Sequence, residues 1–212
     1  MTPLSHAQTA IKEHPAKITA QEFLEMIAEN PSVFEHWDTP LEITEFVKCN
    51  NSAITHLSPH LTFSGKNEVE SAAHFWECPN LKIATGTYLG KVVFSNSGIK
   101  RIENLTVTKA NKNGVAATFV NCPNLQVATG TYPGFVYFQN SGIERIENLT
   151  ITNPHNDGYY ADFLYCPNLK TLEGWDLSQK IIIEDAKLAA EKSRRALLKF
   201  HKESQPKSLP FL

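Results

Sequence analysis

The chain has 212 residues, enough for one well-buried core, with a formal net charge of -2 and a pI near 6.4. That balance argues against a domain built mainly to hold nucleic acid, which would be basic. The start, Met1-Thr2-Pro3-Leu4-Ser5-His6, lacks the apolar run of a signal peptide, and no stretch approaches the ~20 apolar residues of a membrane span. A cytoplasmic protein is expected, with signal-independent secretion left open.

In chain order, residues 1–31 read as a tail and a capping helix. Thr19 and Glu22 have capping-box spacing for a helix over Ala20 to Glu29, with Phe23, Leu24 and Ile27 on its apolar side and Asn30-Pro31 as its stop. From 32 to 177 the chain repeats itself. Phe-x-x-Cys-Pro-Asn-Leu starts at Phe75, Phe119 and Phe163, copies 44 residues apart. Between them run Ser97-Gly98-Ile99 to Asn104-Leu105-Thr106-Val107 and its copy Ser141-Gly142-Ile143 to Asn148-Leu149-Thr150-Ile151. The Asn-Leu pairs at 80, 104, 124, 148 and 168 are spaced 24, 20, 24 and 20 residues, lengths typical of leucine-rich coils.

After each pair apolar residues alternate, as in Leu105/Val107 and Leu149/Ile151, which predicts a short strand with one buried face. Val115, Phe119 and Cys122 lie four and three apart, which predicts a helical turn closed by Pro123. Val92/Phe94 and Val136/Phe138 are candidates for a further strand. Gly98 and Gly142 are expected at positive φ, and the Asn of each Asn-Leu pair is the candidate for a hydrogen-bonded ladder. Degenerate copies, such as Val47 to Ile54 against Val92 to Ile99, carry the array back to about residue 32. Over 178–203 a second capping helix is predicted, with Ile182, Ala186, Ala189 and Leu197 facing the array, followed by a flexible tail at 204–212. The fold class expected is an α/β solenoid: a leucine-rich-repeat ribbon with short parallel strands and N- and C-terminal capping helices.

Ala117-Thr118-Phe119-Val120-Asn121-Cys122-Pro123-Asn124-Leu125-Gln126-Val127 resembles the Ala-Phe-x-x-Cys-x-x-Leu-x-x-Ile/Val element of BspA-like bacterial leucine-rich-repeat proteins. The Ser-Gly-Ile and Asn-Leu-Thr-Val phrases are similar to those of related bacterial and phage-borne repeat proteins. The resemblance covers about two-thirds of the chain and departs from the regular BspA-like period by alternating two coil lengths. It implies surface-exposed or secreted adhesins, effector modules and many unassigned proteins, and no catalytic motif to carry over.

The residues themselves show no Gly-rich phosphate loop, His-Glu-x-x-His, Ser elbow or paired-Cys site. No cofactor and no metal is expected. Cys78, Cys122 and Cys166 hold one repeat position, about two strand spacings apart and too far for a disulfide with each other, so they read as core residues. The favoured function is a non-enzymatic protein-binding module using the strand-lined face. Its candidate partner-binding residues are Lys82, Tyr88, Thr106, Gln126, Tyr132, Tyr137, Thr150 and Lys170. The alternative is a small enzyme or toxin-like effector with its site between the array and the C-terminal helix. From Lys180 to Leu212 eight Lys/Arg stand against four Asp/Glu, so that helix is a candidate for an acidic partner.

Overall fold

The computed structural model describes residues 16–50, 52–176 and 178–183. The chain winds between two parallel β-sheets. The first holds β1 (Ala16–Ile18), β2 (Leu41–Ile43), β4 (Leu61–Phe63), β6 (Ile83–Ala84), β7 (Thr87–Tyr88), β9 (Arg101–Val107), β11 (Val127–Tyr132), β13 (Arg145–Ile151) and β15 (Thr171–Glu173). The second holds β3 (Val47–Lys48), β5 (Ser71–His74), β8 (Lys91–Val93), β10 (Val115–Thr118), β12 (Phe135–Tyr137), β14 (Tyr159–Phe163) and β16 (Lys180–Ile183). Among the described residues there is one helix, α1 (Ala20–Glu29), closed by the Thr19–Glu22 capping box and seated through Phe23 and Ile27.

The expected α/β solenoid, a leucine-rich-repeat ribbon of alternating helix and strand, is overturned, and with it the resemblance to BspA-like proteins. The predicted turn of helix from Val115 to Cys122 is strand β10 followed by a left-handed corner. Phe119 N–H bonds to the Tyr137 carbonyl at 2.7 Å and Asn121 N–H to the Gln139 carbonyl at 3.0 Å, so this backbone pairs sideways rather than with its own preceding turn. Asn121 has φ 56°, which no helix interior accommodates. The spacing of Val115, Phe119 and Cys122 came from a strand plus a tight corner. Lys180–Ile183, expected as the first turn of the C-terminal helix, is β16 on the edge of the second sheet. The rest of that helix, its basic strip and the tail lie outside the described residues.

The repeat works by stacking like on like. Phe75, Phe94, Phe119, Phe138 and Phe163 form one column between the sheets, neighbouring ring centroids 5.2, 5.4, 5.3 and 5.0 Å apart and nearly coplanar. A 44-residue copy spans two strands of each sheet, so the ring from the intervening coil fills the gap between equivalent positions. At the corner beyond the second sheet, Asn121 Nδ2 donates to Asn96 Oδ1 at 2.9 Å and Asn140 Nδ2 to Asn121 Oδ1 at 2.7 Å. The ladder therefore uses Asn96, Asn121 and Asn140, all left-handed, and not the Asn of the Asn-Leu pairs. Asn can take that conformation at lower cost than most residues. Gly98 and Gly142 are not left-handed. They are glycine because a Cβ would collide with the carbonyl oxygens of Pro79 and Pro123 in the adjoining coil.

Candidate active site

The eight predicted binding residues do not share a face. Thr106 and Thr150 stand in the outer row of the first sheet, in register with Thr62, Thr87 and Thr131. Tyr88 and Tyr132, predicted in surface loops, are fully buried between the sheets. Lys82, Gln126 and Lys170 lie in the segments just before strands of the first sheet, and Lys170 is paired with Glu144 at 3.0 Å. Tyr137 belongs to the second sheet. A ribbon with one strand face would have gathered them; two sheets with a common core send them apart. The expected binding ribbon is overturned on this ground.

A network of buried polar side chains argues against the expectation that the chain is no enzyme. Ser97 meets Cys122 and Ser141 meets Cys166, each at 3.5 Å inside the core. Burial pushes both thiols up, so these two pairs pack rather than react. The member placed for chemistry is Asp162, on the outer row of the second sheet. Register runs Thr118, Tyr137, Asp162, Ile182 across β10, β12, β14 and β16. Asp162 is 3% exposed. Gln139 Nε2 donates to one carboxylate oxygen at 2.6 Å and the Leu164 N–H donates to the other at 2.9 Å. Desolvation pushes the Asp162 carboxyl up; the bonds from Leu164 and Gln139 only partly oppose this.

Tyr137 stands beside it. Burial raises its hydroxyl, and the charges of Asp162 and then Asp157 raise it further. Phe135 packs edge-on against Tyr137, with ring centroids 4.7 Å apart, and meets the His155 ring at 5.5 Å. His155 Nδ1 lies 3.2 Å from Asp157. The Thr118 hydroxyl oxygen is shielded from solvent and has no hydrogen-bond partner. The arrangement offers a buried carboxyl able to keep or release a proton nearer neutrality than an ordinary Asp, an amide that fixes its orientation, and a phenol at its side.

Sequence reasoning placed Tyr137 on a binding face and passed over Gln139 and Asp162. A signal was present. Copies of the repeat read Val93, Ser95 and Thr118 where Tyr137, Gln139 and Asp162 stand. Two departures in one coil, Tyr137 and Gln139, and a third in the next, Asp162, converge on one spot.

Elsewhere the chemistry is thinner. A cleft of about 180 Å³ on the first sheet is lined by Pro59, Thr85, Gly86, Thr87, Glu103 and Asn104. Its one carboxylate, Glu103, is held by Arg101 at 2.6 Å. His56 is nearly buried, lies 3.6 Å from Glu35, and is pushed down chiefly by burial. Among the described residues no group of His, Cys, Asp and Glu gathers as a metal site. None of their helices is long and apolar enough to cross a membrane. A scan against family models and searches of the curated proteins and of the solved structures return no match to this chain.

Proposed function

We propose that this chain is a small enzyme working by acid–base catalysis at the Tyr137–Gln139–Asp162 site. The observation that carries the proposal is a carboxyl buried on the outer side of a sheet, raised by desolvation, and oriented by a glutamine that the neighbouring repeat copy lacks. A buried acid used only for folding is costly; placed beside a phenol, it suits proton transfer to a seated substrate. In hydrolysis, Asp162 would give its proton to the departing atom and regain one from the attacking water. Tyr137 would hold the substrate against the carboxyl, with Phe135 and His155 forming the adjoining wall.

The test joins a titration to a screen. Carboxyl carbon NMR shifts of the wild type and Asp162→Asn should identify Asp162 as the carboxyl titrating above the usual range. A panel of ester, amide, phosphoester and glycoside substrates should then show an activity that Asp162→Asn lowers by roughly 100-fold or more. An Asp162 that titrates as an ordinary carboxylate, or a panel activity unaffected by the substitution, would overturn the proposal.

A further inference from the structure

Cys49 differs from the three cysteines of the repeat. It occupies the place held by Phe94 and Phe138 in later coils, so the phenylalanine column ends at Phe75 and a small thiol takes the next position. Cys78 sits in the adjoining coil. Its thiol donates to the Cys49 carbonyl at 2.9 Å, which brings the Cys78 sulfur against the Cys49 residue. In the other coils the same thiol position, Cys122 or Cys166, reaches a phenylalanine carbonyl and a serine hydroxyl, and meets no second sulfur. All four thiols are free and buried.

We propose that Cys49 and Cys78 form a redox site: a dithiol that a low-molecular-weight disulfide, such as oxidised glutathione, converts to an intramolecular disulfide joining the first two coils of the second sheet. The Cys49 thiolate attacks one sulfur of the oxidant and releases a thiolate, leaving a mixed disulfide. Cys78 then loses its proton and attacks the Cys49 sulfur, releasing the second small thiol. Two protein thiols are oxidised and one disulfide is reduced to two thiols, so atoms and electrons balance.

The order of attack follows from the environment. The neighbouring Cys78 thiol holds the Cys49 thiol below its usual range against the opposing effect of burial, while Cys49 and then burial push Cys78 up. Once Cys49 is capped it no longer carries charge, and the barrier to ionising Cys78 falls. Access follows from topology. Cys49 directly succeeds β3, which among the described residues is the terminal strand of the second sheet and pairs on one side only, with β5. Edge opening exposes it without unfolding the coils that carry Cys122 and Cys166.

The test uses the folded full-length chain, incubated with oxidised glutathione, quenched by alkylation and mapped by mass spectrometry without reduction. The expected result is an intact mass lower by two hydrogens and one linked peptide pair containing Cys49 and Cys78, with Cys122 and Cys166 alkylated once the chain is unfolded. Cys49→Ser should abolish the linkage and leave a glutathione adduct on no other thiol; Cys122→Ser should leave the linkage intact. Because the wild-type map stands without the variants, a folding defect in either does not obscure the result. Equal loss of all four thiols, scrambled pairs, or no linkage at an oxidant level that oxidises the unfolded chain would overturn the proposal.

Discussion

Replacing Phe119 with Ala probes the column that organises the whole fold. Phe119 is its middle ring, stacked on Phe94 at 5.4 Å and Phe138 at 5.3 Å and edge-on to Tyr132 at 6.5 Å. Truncating a buried Phe costs about 3–5 kcal/mol through lost transfer energy and the cavity left behind. Here the sheets above and below hold neighbouring rings by register, so the gap cannot close by local collapse, and both stacked partners lose their contact. That places the expected cost in the upper part of the range, at about 4–5 kcal/mol. For a chain of 212 residues this lowers Tm by roughly 8–20 °C. Urea unfolding followed by circular dichroism should show an earlier midpoint with an unchanged m-value. Phe163→Ala, at the far end of the column, loses one stacked ring, Phe138, and an edge contact to Trp175 at 6.0 Å, and should cost less. A Phe119→Ala loss below about 1.5 kcal/mol, or a larger loss at Phe163, would refute the reasoning.

Asp162→Asn should stabilise the protein near neutral pH: a carboxyl whose folded pKa is raised contributes stability below its unfolded value, near 3.9, and loses it as pH rises through the folded value. The gain of the variant should therefore shrink as denaturation is repeated towards acid; a pH-independent difference would contradict it. Gly142→Ala should cost about 2 kcal/mol or more, because the added Cβ meets the Pro123 carbonyl oxygen and two coils must part, which thermal melting would register. Asn121→Ala should cost about 2–4 kcal/mol, from left-handed strain and two lost amide hydrogen bonds, whereas Asn121→Gly should recover the strain component. Thr19→Ala should cost about 1 kcal/mol and leave the sheets intact by circular dichroism.

The period was legible because identical residues stack, and the 44-residue copy does correspond to two strands in each sheet. The element type was not. Three apolar residues four and three apart describe one face of a helix, and they equally describe a strand followed by a corner. Val115 and Thr118 are β-branched, and Phe119 to Cys122 turns through a left-handed Asn, but the Ala116-Ala117 pair between them favours helix in isolation. What decided the matter is pairing on both sides: β10 is hydrogen-bonded to β8 and β12, a non-local gain that local periodicity does not express. The same error moved Tyr88 and Tyr132 onto the surface. Each ends a strand whose alternation turns it inward, and Tyr88 satisfies its hydroxyl on the Thr85 carbonyl at 3.0 Å.

A stacked fold separates the residues that build it from those that do something else. Phe, Cys, Ile and Gly recur because each must match the coil above and below, and at those positions a change costs stability directly. An outward position on the second sheet carries no such demand, so His74, Thr118 and Asp162 can occupy one row. An acid there would ordinarily be exposed and unpaired. Asp162 is instead buried, fixed by Gln139 and flanked by Tyr137, and each of these three differs from its repeat counterpart. Packing does not require the three changes, since the preceding coil closes with Val93, Ser95 and Thr118 in their places. Their coincidence at one place is what the proposed use of the carboxyl calls for, and burial raises its pKa in the direction that proton transfer near neutrality needs.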